Sequence, residues 1–403
     1  MRRTALFGSG LLLAFGAVGC QDQVTEPGPP TVTVGDLVTP GQMSAVVSDL
    51  DVSLPTGLDR DGARTRLLET GLTESHFANA VDRAINPGEF QCPPSTAVID
   101  FFLDEFFEFV FGEPDLFNLL FFGLLADLIP QFEALLLQDG SLPQEFGYDG
   151  QFTQVMRKTD RDVRRFWDIN SDDILLLAMK GTMLQDPERV SLTYQVAFGE
   201  SEATADFFAS LILDALSESE ILDGGNHVLF SFNAFAFSNP GSGISDRIVM
   251  GDAILEAYEA LGFGDVAPQA IYSHEFAHHI QFENDYFSDP IPTTDPGGPN
   301  AAEATRYTEL MADAMSAYYL THARGGTLRQ RRVEQFLEVF FELGDCGFSD
   351  PGHHGTPAQR MRAAQFGFRV ADLAQKQGHI LSSQEFHDLF VANYLDLVAP
   401  DAF

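Results

Sequence analysis

The sequence predicts an α+β fold: a small sheet packed on a mostly helical C-terminal half, with a helical extension at the N-terminal side. Three observations carry that expectation. β-Prone stretches gather between residues 190 and 250: Val190 to Val196 alternates apolar and polar, His227 to Phe237 is aromatic, and Arg247-Ile248-Val249-Met250 stops at Gly251. Downstream of residue 252, apolar residues recur at helical spacing. Upstream, Val98 to Leu137 is an apolar, Phe-rich block of helical character. No internal repeat is visible.

The 403 residues suffice for one large domain with extensions or for two domains, and a 45% hydrophobic content supports a sizeable core. Thirty-seven phenylalanines imply thick aromatic packing. A formal net charge of −36 argues against nucleic acid as a partner, because phosphate requires basic patches.

In chain order, Arg2 and Arg3 precede an apolar or small run from Ala5 to Val18, the anatomy of a secretory signal. Ala17-Val18-Gly19-Cys20 is similar to a bacterial lipobox, which implies cleavage before Cys20, lipid on its thiol and an exported lipoprotein held at the cell envelope by its anchor. Gln21 in place of aspartate favours the outer membrane or periplasmic face. An ordinary signal peptide followed by an incidental cysteine is the alternative. The expected organisation is a signal over 1–19, a Pro/Gly/Thr-rich tether over 20–60, a Phe-rich helical extension over 61–140 and the main domain over 141–403. Cys92 and Cys346 either pair as a disulfide or remain two buried thiols.

Asp104, Glu105, Glu108, Glu113, Asp115, Asp127 and Pro130 interrupt the Phe-rich block, so no uncharged run reaches the ~20 residues of a membrane span. Buried helices, helices lying on a membrane surface, or an aromatic face for a partner remain open. Residues 151–186 read as helical, and 203–222 as a helix ending before Gly224-Gly225. Asp252 is placed to cap a helix carrying Ile254, Leu255, Tyr258 and Leu261, with Gly262 as its stop.

The next helix carries the chemistry. Pro268 suits its first turn, and it contains His274-Glu275-Phe276-Ala277-His278-His279-Ile280-Gln281. Positions i and i+4 share one helical face, so His274 and His278 can meet one metal ion. Glu275 stands beside them as the base for an activated water. His279 points about 100° away and is read as a packing or hydrogen-bonding residue. A catalytic zinc site needs a third protein ligand. A later helix, starting near Ala301, presents Glu309 as that ligand and Asp313, four residues on, to accept the outer N–H of a ligand histidine. Glu303 competes as ligand, or serves as a local cap. Thr356-Pro357-Ala358-Gln359 forms a capping box that starts a further helix. His353, His354, Arg360, Tyr307 and Tyr318 are candidates for stabilising an oxyanion, with pairing to a buried carboxylate as the alternative for Arg360.

H-E-x-x-H followed by E-x-x-x-D resembles the gluzincins, the thermolysin-like zinc peptidases. The wider wording, H-E-x-x-H-H-x-Q, then E-x-x-A-D, then His354-Gly355-Thr356-Pro357-Ala358-Gln359-Arg360, is similar to the neutral zinc metallopeptidase family of bacteria over about residues 245–370. The Phe-rich part lies outside that likeness. The resemblance implies a zincin-like domain with one catalytic Zn²⁺ on His274, His278 and Glu309, Glu275 as general base, Asp313 orienting a histidine, and a peptide or protein substrate. It also implies a strand beside the cleft that pairs with substrate, for which 247–250 or 228–237 stand ready. The rival expectations are an inactive zincin-like module for envelope binding or assembly, an adhesion lipoprotein working through the Phe-rich block, and a peptidase shielded by that block.

Overall fold

The computed structural model describes residues 96–240, 242–293, 296–328, 330–342, 354–377 and 379–399, the side chains of 330, 331, 333, 334, 341, 342 and 374–377 excepted. Expectations about the signal, Cys20, the tether, Cys92, Cys346 and His353 lie outside the described residues.

The chain forms a mostly helical α+β structure with a three-stranded sheet. The Phe-rich block supplies α1 (Ala97–Gly112), α2 (Pro114–Phe117) and α3 (Ile129–Leu136). Phe102, Phe106, Phe109 and Phe117 are buried and share one hydrophobic cluster with residues of the helix that carries His274, including Ile271 and Phe276. Phe101, Phe107, Phe121 and Phe122 are half-buried, and Phe111 is exposed. Edge-on ring contacts such as Phe106–Phe117, 5.4 Å between centroids, hold the block together. No helix among the described residues is long and apolar enough to cross a membrane.

Helix α4 (Thr153–Phe166) follows, and the helical expectation then fails: Leu175–Met179 is strand β1. It runs parallel to β3 (Arg247–Gly251), and β2 (Ala234–Phe237) pairs antiparallel on the other side of β3. Val190 to Val196 is not a strand. Asp186 caps α5 (Pro187–Thr193) by accepting from the backbone N–H of Glu188 and Arg189, and a π-turn continues to Phe198. The alternation there was misleading, since Leu192 and Val196 are exposed while Val190 and Tyr194 are buried. The expected strand over 227–237 narrows to β2, after a 3₁₀ turn at Val228–Phe230.

Because β3 lies between β1 and β2, both its edges are already hydrogen-bonded, which removes 247–250 as a strand for pairing substrate. The buried Arg247 side chain donates to the carbonyls of Ala134, Leu135 and Gln138, closing the C-terminal end of α3.

Helices α6 (Glu202–Glu218) and α7 (Asp252–Ala260) complete the first half. The cap of α7 is Gly251, not Asp252. The buried Asp252 carboxylate instead accepts the Gly147 N–H and pairs with Lys180; burial, opposed by Lys180, raises its pKa to about 6.

The remainder is α8 (Ala267–Glu283), α9 (Ala301–Thr321), α10 (Gln330–Glu342), α11 (Pro357–Gln377) and α12 (Ser383–Leu397). Helix α8 is buried on every side from Ala270 to Gln281, enclosed by α9, α4 and β2. Small residues permit this. Ser273 Oγ lies 2.6 Å from Ser316 Oγ of α9. Against the other side of α9, a Cβ on Gly367 of α11 would sit 2.1 Å from the Ala314 carbonyl, so glycine is required there.

Candidate metal centre

Helices α8 and α9 bring the predicted residues together. Pro268 stands in the first turn of α8, and Asp285 in left-handed backbone follows its end. Asn300 and Glu303 form a capping box at the start of α9, so Glu303 is occupied as a cap rather than as a ligand. Two turns further, Glu309 meets the histidines. His274 Nε2 lies 3.2 Å from His278 Nε2 and 3.2 Å from Glu309 Oε2; His278 Nε2 lies 3.3 Å from Glu309 Oε1. The three side chains are essentially inaccessible, at 0, 2 and 3% exposure for His274, His278 and Glu309. This buried cluster could hold a metal ion.

The outer nitrogens are braced by different groups. His274 Nδ1 lies 2.9 Å from Asp313 Oδ1. Asp313 in turn receives two donors from the fully buried Arg360, Nε at 2.7 Å and Nη2 at 2.6 Å. His278 Nδ1 lies 2.9 Å from Gln281 Oε1. The expected capping box seats Arg360: the Thr356 N–H meets Gln359 Oε1 at 3.0 Å, and the Gln359 N–H meets Thr356 Oγ1 at 3.1 Å.

With Asp313 and Gln281 accepting from the Nδ1–H groups, both Nε2 atoms face the centre, as bare acceptors when the rings are neutral and as donors to Glu309 when they are protonated. Two bare nitrogens and a carboxylate at about 3 Å repel one another unless a cation lies among them. A tetrahedral ion with bonds of about 2.0–2.1 Å places its ligand atoms about 3.3 Å apart, and the observed separations of 3.2, 3.2 and 3.3 Å fit that. Without a metal, a proton takes this place. Burial alone would lower the His274 pKa, but hydrogen bonds to Asp313 and Glu309 outweigh it and raise it to about 9. Burial works the other way on Glu309 and is overcome by the charges of His354 and His278 and by hydrogen bonds from His274 and His278, holding it well below the usual carboxylate range. For Glu275, burial dominates and raises the pKa, opposed by His274 and His278.

Compared with known proteins, the chain matches no family model, no curated protein and no solved structure.

The other candidates separate. His354 is buried and close enough to act electrostatically on Glu309. Arg360 directs Nε and Nη2 at Asp313, with Nη2 3.8 Å from Glu309. Tyr318 is turned elsewhere, its hydroxyl accepting the Leu381 N–H, and Tyr307 OH lies 3.3 Å from His387 Nε2. His279 donates from Nε2 to the Arg247 carbonyl at 3.0 Å, tying α8 to β3 as a structural residue. The pairing of Arg360 with a buried carboxylate was one of its two expected roles, and Asp313 is that carboxylate; the brace of Gln281 on His278 escaped the sequence. Gln281 lies three residues beyond His278, a spacing that puts the two on adjacent turns and was available as a signal. The face of His274 is covered by α10, whose Phe340 ring centroid is 6.4 Å from that of His274.

Proposed function

We propose that this chain is an exported zinc-dependent metallopeptidase that hydrolyses peptide bonds at the His274–His278–Glu309 centre. The observation carrying this is the convergence of two bare imidazole nitrogens and one carboxylate beside the buried Glu275. Two imidazoles and a carboxylate suit zinc, and three protein ligands leave a fourth tetrahedral position open. Charge supports a cation at the centre: Glu309 is held well below the usual carboxylate range, Glu275 and Asp313 are buried with it, and Arg360 is committed to Asp313. The likeness of His274–Gln281, Glu309–Asp313 and His354–Arg360 to gluzincins, and to the neutral zinc metallopeptidases of bacteria, supports a zincin-like domain. The signal-like start and Cys20 support a lipoprotein at the cell envelope.

Zinc held there would supply a Lewis acid that polarises the scissile carbonyl and makes a water acidic near pH 7. Glu275, whose carboxyl burial makes more basic, accepts the proton of the attacking water and returns it to the leaving amine nitrogen. Asp313, itself held by Arg360, fixes the His274 ring. His354 is the remaining candidate to donate to the oxyanion. The outer edge of β2, an edge strand beside α8, is the surviving candidate to align an extended substrate.

Enclosure of the centre favours a second reading, a catalytically inactive zincin-like envelope module in which the metal is structural. Incubation of zinc-loaded chain with unfolded protein substrates separates the two. The expected result is cleavage by the wild type and a fall in kcat of about 10²–10⁴-fold in Glu275→Gln with zinc retained. Undiminished cleavage by the variant would sink the mechanism, and zinc retention without cleavage by the wild type would favour the second reading.

A further inference from the structure

Gln281 is fully buried on the turn of α8 after His278. Its Oε1 lies 2.9 Å from His278 Nδ1, and its Nε2 donates to the Thr308 carbonyl at 2.7 Å. These contacts fix the proton positions by elimination. A backbone carbonyl only accepts, so the amide NH₂ must face Thr308. The amide oxygen then faces His278 and likewise only accepts, so Nδ1 carries the hydrogen. Nε2 is left bare and aimed at His274 and Glu309. Thr308 immediately precedes Glu309, so the same amide ties His278 to the backbone carrying the third ligand.

We infer that Gln281 is a positioning residue: it selects the Nε2-bare form of His278 and sets the register of α9 against α8, and through both it controls metal affinity. This rests on the proposed metal centre and deepens it. An amide suits the position better than a carboxylate. Glutamate would turn a second acceptor toward the Thr308 carbonyl and add another buried carboxyl group to those of Glu275, Glu309 and Asp313. The centre thus divides its bracing, with a charged group on His274, neutralised by Arg360, and a neutral group on His278.

The test uses the full chain, zinc alone as probe, and the variants Gln281→Leu and Gln281→Glu. Zinc affinity is measured by chelator competition, and the imidazole tautomers by ¹⁵N-resolved NMR of the zinc-loaded and metal-free protein. Gln281→Leu is expected to bind zinc about 10–100-fold more weakly and to show His278 as a mixture of tautomers when metal-free. Gln281→Glu retains an acceptor at Nδ1, so it should keep the Nδ1–H form and recover most of the lost affinity. If Gln281→Glu is as weak as Gln281→Leu and equally mixed, Gln281 is only a strut and the inference falls. It falls too if Gln281→Leu binds like the wild type. Should Gln281→Leu not fold, the wild-type spectrum decides, and an Nε2–H His278 overturns the assignment. A wild type that binds no zinc would refute the metal centre itself, while the spectrum would still report on Gln281.

Discussion

A metal ion at the proposed centre would compete with the proton on His274 for one place. In the metal-free chain the His274 pKa is about 9, above the ordinary 6.5, because hydrogen bonds to Asp313 and Glu309 outweigh the opposing effect of burial. A raised folded-state pKa means that this group stabilises the metal-free fold fully below about 6.5 and ceases to do so as pH rises through about 9. Displacing one proton makes metal affinity fall about tenfold for each pH unit below that value. Zinc titrations against a competing chelator are therefore expected to weaken about a hundredfold from pH 8 to pH 6. Affinity independent of pH would show that no such proton is displaced. Much of this residue-level chemistry was legible beforehand, because His274, Glu275 and His278 are fixed relative to one another by helical geometry alone. Glu309 and Asp313 were legible as a pair on one face. Arg360 was legible only as a candidate, since its pairing with Asp313 depends on how α11 lies against α9.

At the scale of elements, burial explains both the successes and the misreadings. Helix α8 is enclosed all round, so its polar residues form the candidate metal cluster and its braces rather than a solvent face. Leu175–Met179 lacks alternation because the strand is half-buried to buried along its length, and an apolar run of that kind is indistinguishable by period from buried helix. The alternation of 190–196 lost to the Asp186 cap and Pro187, which start a helix whatever follows. Helix α10 bears most directly on function. Its Phe336, Val339 and Phe340 are fully buried, Tyr258 donates to the Val339 carbonyl at 3.3 Å, and Phe340 lies against His274. Truncation by Phe340→Ala is expected to cost about 3–5 kcal/mol in urea unfolding and to speed removal of zinc by chelator. An unchanged rate of metal loss would show that α10 does not guard the centre.

For the molecule as a whole, the fold encloses a cluster of titratable groups that could hold a metal ion. Phe-rich helices, sheet and C-terminal helices close around α8 through one hydrophobic cluster extending from Val98 to Leu397. The α+β class was legible from the spread of strand-like and helical stretches, whereas the strand order β1–β3–β2 was not, because it depends on contacts distant in sequence. The central claim is a single metal held by two imidazoles and one carboxylate. Metal analysis of the purified chain after dialysis, beside Glu309→Ala prepared identically, tests it most directly. One zinc per wild-type chain and essentially none in a folded Glu309→Ala is the predicted result. A wild-type chain that takes up no zinc when supplied with it, or a Glu309→Ala chain that retains it at full affinity, would contradict the account.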